Sequence, residues 1–268
     1  MLRSAGIEEA ERQAFWLVEA ATGLARPTII SGRPVVDAEG VRRAESLAER
    51  RCSGEPLQYV TGTAGFRLLE LAVGPGVLIP RPETEIVVDQ AMRRLPRGGT
   101  LVDVGTGSGA IALAIAQERP DSHVVGTDSS GDALAWARKN RERLALDVEL
   151  VECDLLDGLH DSLHGVVDVV VSNPPYVSET ERAALPPEVV EHEPHAALFA
   201  GPEGVGVIRR LASDARNWIR SGGWLVLETA GNRAAPVVAE LQRLGYEAVG
   251  IEKDLNGLER IAEARMRG

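Results

Sequence analysis

The chain's most unusual chemical feature is a short polar segment that follows a run of valines. Residues 169–179 read VVVSNPPYVSE, so Asn173, Pro174, Pro175 and Tyr176 come directly after a strand-like apolar run. Each proline fixes its φ angle near about −65° and lacks a backbone N–H, so a buried strand gains nothing from two of them. The segment can instead bind a planar NH2 group. The Asn173 side-chain oxygen and the Pro174 carbonyl can each accept one hydrogen, and the Tyr176 ring can pack on the flat face.

Binding both hydrogens of such a group has a chemical purpose. It directs the nitrogen lone pair at an electrophile, which is a gain in positioning and electrostatics rather than in acid–base power. The alternative for the same four residues is an ordinary tight turn after a strand. We favour the chemical interpretation because other ligand-binding motifs precede the segment in order.

The first of these motifs is a glycine-rich turn. Residues 102–116 read VDVGTGSGAIALAIA, which predicts a strand, a turn and a helix. The turn consists of Gly105, Thr106, Gly107, Ser108 and Gly109, and no glycine follows directly. Glycines let a backbone pass close to a ligand, and a helix N-terminus offers unpaired N–H groups. Taken alone, the turn could also be a tight connection without a ligand. Its glycine spacing differs from the dinucleotide fingerprint.

An acidic residue follows at the end of the next strand-like run. The segment HVVGTD ends in Asp128, which the parallel-sheet pattern places beside the glycine turn. A carboxylate there can accept both hydroxyls of a ribose through charged hydrogen bonds. The alternative is a helix N-cap, a role that Ser129 or Ser130 could fill equally well.

The elements that position these residues alternate along the chain from residue 100. Short β-branched runs separated by helical runs predict an α/β fold with a doubly wound, mainly parallel sheet. The predicted strands are 100–105, 123–128, 147–152, 166–172 and 223–230, and the predicted helices are 109–118, 131–144, 204–220 and 232–244. Two last strand-like runs, 246–254 and 258–265, are joined by Asn256-Gly257 and predict an antiparallel terminal hairpin.

The N-terminal part has a different pattern. Amphipathic helices are expected at 6–24 and 37–52, followed by a segment rich in Gly and Pro that predicts a hairpin and loops. We therefore expect a small N-terminal helical domain over 1–73 and a larger α/β domain over 74–268.

Composition narrows the function classes. The formal net charge is −11, and no basic stripe is present, so binding to a phosphate backbone is a poor expectation. Cys52 and Cys153 fit no metal or redox motif, and the EHEPH segment at 191–195 lacks the helical His spacing of a zinc site. We expect no metal. No apolar run approaches the roughly 18 residues of a membrane span, and no signal peptide is evident, so we expect a cytoplasmic location.

The glycine turn with its preceding acid, Asp103, has the pattern D-x-G-x-G-x-G. This pattern resembles the first motif of S-adenosylmethionine-dependent methyltransferases, with a Rossmann-like fold. The resemblance implies that S-adenosylmethionine is the methyl donor and that Asp128 binds its ribose. It also implies that Asp154, after the third strand, lies near the adenine amino group and that Leu155 lies near the ring face. Some relatives have an aromatic residue at the position of Leu155, which a leucine replaces with weaker stacking.

Several further segments resemble one family, that of the peptide chain release factor glutamine methyltransferases. They occur in the right order over nearly the whole chain: GEPLQYVTG (54–62), FRLLELAV (66–73), VLIPRPETE (77–85), TGSGAIALA, SNPPY, HEPHAALFAGPEG and DLNGLERI. The resemblance implies methylation of the side-chain amide nitrogen of the Gln in the Gly-Gly-Gln tip of bacterial release factors. The partner would be a release factor, held in part by residues 1–73. We expect a monomer and no direct binding of nucleic acid.

The resemblance also assigns residues. The turn Gly105–Gly109, together with Asp128, Asp154, Leu155 and Asn173, would bind the donor. The segment Asn173–Tyr176 would bind the glutamine. The RPETE segment, residues 81–85, would line the active site near donor and substrate, with Arg81 and Glu83 binding the substrate, although a helix start with acids in its first turn also explains that segment. The loop Glu193-Pro194-His195 departs from the expected Glu-Pro-basic pattern.

Three other functions remain open from the sequence. One is glutamine methylation of a ribosomal protein by the same machinery. Another is amino-group methylation of nucleic acid, which the charge and the lack of a recognition insert disfavour. The last is a non-catalytic module that has kept the fold, which the intact segment Asn173–Tyr176 disfavours.

We predict that Asn173→Ala abolishes methyl transfer and weakens donor binding only modestly, because the lost oxygen is an acceptor for the substrate nitrogen. Transfer assays and donor titrations on the purified variant check this. Surviving transfer would show that Asn173 is not the acceptor.

Overall fold

The structure is a computed structural model that describes residues 1–31, 36–201 and 204–268. Two residues of the HEPHAALFAGPEG segment, Pro202 and Glu203, lie outside the described residues.

The N-terminal part is helical, and the periodicity predicted its two longer helices but not its two short ones. Its helices are α1 (Ala10–Thr22), α2 (Arg26–Ile30), α3 (Ala38–Cys52) and α4 (Leu57–Thr61). The first begins four residues later than expected, because Ala5 and Ile7 donate to the carbonyls of the first two residues in tight turns. Asp37 caps α3 by accepting from Gly40 N at 2.7 Å. Leu17 and Val60 are buried in a small apolar cluster between these helices.

A short hairpin follows, formed by β1 (Thr63–Phe66) and β2 (Leu69–Ala72). Phe66 and Leu71 pack in the same apolar cluster as two helices of the larger part, α5 (Glu85–Arg94) and α6 (Ala110–Glu118). Arg67, at the hairpin turn, forms an ion pair with Glu118 of α6 at 2.6 Å. The hairpin is thus packed on the α/β layers, although the predicted boundary assigns it to the N-terminal unit.

In the described part of the chain, seven strands form one sheet. They are β3 (Thr100–Val104), β4 (His123–Asp128), β5 (Glu149–Glu152), β6 (Val167–Ser172), β7 (Ile219–Glu228), β8 (Glu247–Lys253) and β9 (Glu259–Arg265). Their order is β5-β4-β3-β6-β7-β9-β8. The strands β3 to β7 run parallel, whereas β9 is antiparallel to both β7 and β8. This is the expected doubly wound sheet with an antiparallel terminal hairpin.

Helices cover both faces of the sheet, which explains the valine runs. All six residues of β6 are buried, as a central parallel strand requires. One face packs against α5 and α6, and the other packs against α10 (Gly206–Asp214) and α11 (Ala234–Arg243). The helix between β4 and β5, α7 (Gly131–Leu144), contacts these two strands and β2.

Strand register brings the ends of neighbouring strands to one edge. Val104 lies opposite both Thr127 and Ser172, and Ser172 lies opposite Leu227. The residues that follow these positions therefore emerge together at the carboxyl edge, where ligands of open α/β sheets bind.

One predicted helix was too long. We expected a helix over 204–220, but α10 ends at Asp214, a 3-10 turn follows, and β7 begins at Ile219. The reason is tertiary pairing. Val167 N donates to the Trp218 carbonyl at 3.1 Å, and Val167 of β6 pairs with Ile219 of β7. The register between the two strands then shifts near Gly222, whose φ is 77°. The short helices α8 (Pro187–His192) and α9 (His195–Leu198) were not predicted.

A single buried side chain fastens β2 and the glycine turn to α7. Asn140 is fully buried, accepts from Ala72 N at 2.7 Å, and donates to the carbonyls of Ala72 and Ser108 at 3.0 Å. We predict that Asn140→Leu lowers the free energy of unfolding by about 3 kcal/mol, because it leaves buried backbone groups unpaired.

Urea denaturation checks the effect of Asn140→Leu, with the exposed Glu142→Gln on the same helix as the control. A loss below about 0.5 kcal/mol, the range of ordinary surface changes, would contradict the role assigned to Asn140.

Candidate functional site

A cavity of about 260 Å³ lies at the carboxyl edge of the parallel strands. Its walls come from the glycine turn, the residues after β4, β5 and β6, the loop 76–84 and one face of α10. The segments that the sequence placed at this edge therefore line one cavity.

The glycine turn adopts backbone conformations that other residues avoid. Gly105, Gly107 and Gly109 have φ values of 71°, 58° and 86°. A Cβ on Gly105 would meet no atom within 4 Å, and one on Gly107 would meet only a Val77 methyl at 3.8 Å. A Cβ on Gly109 would instead meet Leu113 Cδ1 at 2.7 Å. The first two glycines thus leave space for a ligand, whereas the third permits close packing of α6.

Asp103 holds the turn from below. Its Oδ2 accepts from Thr106 Oγ1 at 2.7 Å and from Ala112 N at 3.1 Å. Complete burial raises the pKa of Asp103 to about 7, and the two hydrogen bonds oppose that shift. The motif acid at this position is therefore a buried brace between the turn and the first turn of α6.

Asp128 lines the cavity beside the glycine turn. Its two carboxylate oxygens accept from Gly107 N and from Ser130 N, each at 2.9 Å. Burial raises its pKa, and those backbone N–H groups partly offset the rise. Because each carboxylate oxygen has two lone pairs, one on each remains for a ligand hydroxyl. Ser130 caps α7 by accepting from Ala133 N at 3.2 Å, so the alternative interpretation of Asp128 as that cap is wrong.

Asp154 and Leu155 line the far side of the cavity. Asp154 is exposed and forms an ion pair with Arg210 of α10 at 2.6 Å. Leu155 has a φ of 53°, and its carbonyl accepts from Thr127 Oγ1 at 2.8 Å. That bond fixes the loop after β5 against β4.

The polar segment after β6 offers two hydrogen-bond acceptors, Asn173 Oδ1 and the Pro174 carbonyl. Asn173 Nδ2 donates to Thr84 Oγ1 at 3.0 Å, which turns Oδ1 the other way. No hydrogen bond from the described residues reaches Asn173 Oδ1 or the Pro174 carbonyl. Asn173, Pro174 and Pro175 line the cavity. Tyr176 lies behind them, and its Oη donates to Glu228 Oε1 at 3.3 Å. Burial and then the charge of Glu228 raise the pKa of Tyr176 well above its usual range.

The loop 76–84 is fastened by an acid from a distant part of the chain. Glu193, whose side chain is 1% exposed, accepts from Ile79 N at 3.1 Å and from Arg81 Nη2 at 2.5 Å. Arg81 lines the cavity, but Glu83 is not among the residues that do. His195, the third residue of the Glu193-Pro194-His195 loop, lies on the surface and contacts Arg182 Nη2 at 2.9 Å.

Sequence reasoning missed Arg210 and Glu228, and it gave no specific role to Thr84 and Glu193, which lie in segments that it named. The only available signal concerned Glu228, a charged residue at the end of the buried run WLVLE. The other three are brought to the cavity edge by loops and by α10.

Comparison with solved structures agrees with this architecture. A T. thermophilus 16S rRNA methyltransferase in complex with AdoMet and guanosine gives a TM-score of 0.57 at 20% identity, over 76% of this chain and 50% of that one. A Pyrococcus furiosus methyltransferase gives 0.55 at 21% identity, over 85% of this chain and 98% of that one. The fold is that of the Rossmann-like methyltransferases.

Sequence comparison is more specific. The family model "Methyltransferase small domain" matches residues 83–201, and "PrmC N-terminal domain" matches residues 1–62. A release factor glutamine methyltransferase of Geobacter sulfurreducens is 38% identical, over 99% of this chain and 93% of its own. One of Streptomyces coelicolor is 43% identical, over 86% and 83%. The chain belongs to the release factor glutamine methyltransferase family.

The cavity suits S-adenosylmethionine. Open space above Gly105 and Gly107 lets a ligand reach the backbone, and Asp128 keeps one acceptor lone pair on each oxygen for ribose hydroxyls. No helix in the described ranges is long and apolar enough to cross a membrane.

We predict that Gly105→Ala raises the donor Kd by about tenfold or more, equivalent to about 1.4 kcal/mol, because its Cβ enters the cavity. Gly109→Ala is the matched control. It has a similar backbone strain of about 1–2 kcal/mol, but its Cβ meets Leu113 rather than the cavity.

Calorimetric titration and thermal unfolding of both variants test this pair. We expect Gly109→Ala to lower the unfolding temperature more and the donor affinity less. A larger loss of donor affinity in Gly109→Ala than in Gly105→Ala would show that the donor lies against the third glycine.

Proposed function

We propose that the protein transfers a methyl group from S-adenosylmethionine to the side-chain amide nitrogen of the Gln in the Gly-Gly-Gln motif of peptide chain release factors. The observation that carries the proposal is the Asn173 carboxamide. Its NH2 is bound by Thr84, so its oxygen and the Pro174 carbonyl remain as two acceptors at the cavity edge.

Two acceptors match the two hydrogens of a primary amide. Binding both hydrogens directs the nitrogen lone pair along one line, which raises the fraction of productive encounters. The bound donor supplies an electrophilic methyl group on a sulfonium sulfur; the new bond is N–CH3, the S–CH3 bond breaks, and one amide proton is lost. The prolines contribute stiffness without donors that could compete for the acceptors.

The same proposal gives each other site residue a role. Gly105, Thr106, Gly107 and Ser108 line the donor side of the cavity beside Asp128, with Gly109 as their packed end. Asp154, Leu155 and Arg210 form the wall that would face the adenine. Arg81 lines the cavity from the opposite loop, and Glu83 and Tyr176 act from just outside it.

Residues 1–73 would recognise the release factor, and residues 74–268 would perform the transfer. One observation supports a joint surface: Arg51 of α3 is buried, donates from Nε to Gln13 Oε1 at 2.8 Å and pairs with Glu188 of α8 at 2.9 Å. The N-terminal helices are therefore fastened to the segment that follows Tyr176. A net charge of −11 favours a protein substrate over nucleic acid. We also propose that the enzyme acts as a monomer in the cytoplasm, where release factors act.

A transfer assay tests the proposed function. The protein is incubated with labelled S-adenosylmethionine and a purified bacterial release factor, and the product is mapped by mass spectrometry. We expect one methyl group on the tip Gln and none on a Gln→Ala tip variant. Donor binding without transfer to the release factor would contradict the proposal, and transfer to a ribosomal protein glutamine instead would identify the alternative substrate.

A further inference from the structure

Glu228 is a buried acid directly behind the candidate substrate site. It is the last residue of β7 and is 1% exposed. Because Ser172 lies opposite Leu227, the parallel register places Glu228 beside Asn173 on the neighbouring strand. A charged group in this position costs free energy unless it is hydrogen-bonded, so its partners indicate its purpose.

The partners of Glu228 belong to the substrate site. Tyr176 Oη donates to its Oε1 at 3.3 Å, and the Thr84 hydroxyl also interacts with the carboxylate and lowers its pKa. No hydrogen bond joins the Thr84 hydroxyl to the carboxylate in the described residues, and Glu228 Oε2 is buried there without a partner. Thr84 itself is 4% exposed and accepts from Asn173 Nδ2.

The number of protons on each group decides which groups donate and which accept in the contacts between Glu228, Thr84 and Asn173. A threonine hydroxyl has one proton to donate and lone pairs with which to accept. An ionised carboxylate can only accept, so the proton of the neighbouring Thr84 hydroxyl points to it and the Thr84 oxygen remains an acceptor. That oxygen then binds the NH2 of Asn173, which turns the Asn173 oxygen away from Thr84.

We propose that Glu228 is a positioning residue that sets the orientation of the Asn173 carboxamide through Thr84 and holds the Tyr176 ring through its hydroxyl. The inference rests on the proposed function, since it concerns the acceptors for the glutamine. Without the carboxylate, the Thr84 hydroxyl can donate to Asn173 Oδ1. The carboxamide then rotates and presents its NH2 to the substrate NH2, where neither group can accept.

The inference predicts a pH dependence. Burial raises the pKa of Glu228 to about 7, and the groups that face it are Thr84, Tyr176, Arg260 and Glu83. Protonated Glu228 can donate to Thr84 and so permits the rotated carboxamide. We therefore expect kcat to rise as pH increases through about 7 and this rise to be absent in Glu228→Gln. The comparison is needed because Asp103 also has a pKa of about 7.

The test compares kcat, KM and donor Kd in four variants. Glu228→Gln keeps the volume but offers an NH2, and Thr84→Val keeps the shape but removes the hydroxyl. We expect each to lower kcat by about 10- to 100-fold, the scale of a misplaced reactant, with donor Kd nearly unchanged. Thr84→Ser keeps the hydroxyl and should restore kcat. Tyr176→Phe keeps the ring and should lower kcat less than Glu228→Gln does.

Coupling between the variants separates positioning from a general structural defect. If Glu228 acts through Thr84, the double variant Glu228→Gln/Thr84→Val should lower kcat no further than either single change. A structural control is Glu263→Gln on β9. Glu263 is a buried acid outside the cavity, and its carboxylate pairs with Arg94 at a distance of 2.5 Å. This variant should lower the unfolding temperature and leave kcat unchanged.

Folding of Glu228→Gln is checked by thermal unfolding at pH 8. Because the folded-state pKa is raised from 4.5 to about 7, the wild-type protein loses stability as pH rises through that window. Removing the charge removes this cost, so the variant should be no less stable than wild type at pH 8.

Two results would overturn the inference while the wild-type protein methylates the release factor. One is an unchanged kcat in both Glu228→Gln and Thr84→Val. The other is multiplicative losses in the double variant with the pH dependence retained in Glu228→Gln. Absence of transfer by the wild-type protein would instead count against the proposed function itself.

Discussion

The parallel pairing of β3 with β4 and β6 is the constraint on which the rest of the structure depends. It places Val104 opposite both Thr127 and Ser172, so the chain leaves three neighbouring strands at one level. The glycine turn, Asp128 and Asn173 follow those strands and meet around one cavity. A one-residue slip in any of these ladders would send the following side chain to the other face of the sheet. Burial of both faces of β6 makes such a slip costly, because every position on that strand packs against apolar neighbours.

Buried and half-buried acids maintain the shape of this edge, and each has a separate structural task. Asp103 braces the glycine turn from within the sheet. Asp128 binds the turn from the neighbouring strand while keeping lone pairs for a ligand. Glu193 pins the loop that carries Arg81, and Glu228 supports Tyr176. Burial raises the pKa of Asp103, Asp128 and Glu228, so this edge combines geometric precision with groups that titrate above the usual range of carboxyls.

The N-terminal part contributes to the same edge although it contains none of the predicted donor-binding or glutamine-binding residues. Tyr59 of α4 donates from its hydroxyl to the Val77 carbonyl at 2.5 Å, and Val77 lines the cavity. Trp136 packs on Gly74 and donates to the Pro75 carbonyl at 3.2 Å. These contacts fix the loop between the hairpin and α5 at both of its sides. A protein substrate bound by the N-terminal helices would thus contact elements that are physically continuous with the donor cavity.

Local chemistry in the sequence determined the alternation of strands and helices, the glycine turn, Asp128 and the segment Asn173–Tyr176. Those features depend on period, on backbone freedom at glycine and proline, and on the end of a strand, all of which short segments encode. Only the tertiary structure decided that β7 begins at Ile219, that Arg210 closes the cavity wall and that Glu228 and Thr84 lie behind Asn173. The reason is that these arrangements depend on pairing between residues far apart in the chain, such as Asn173 with Thr84, and no local pattern contains that information.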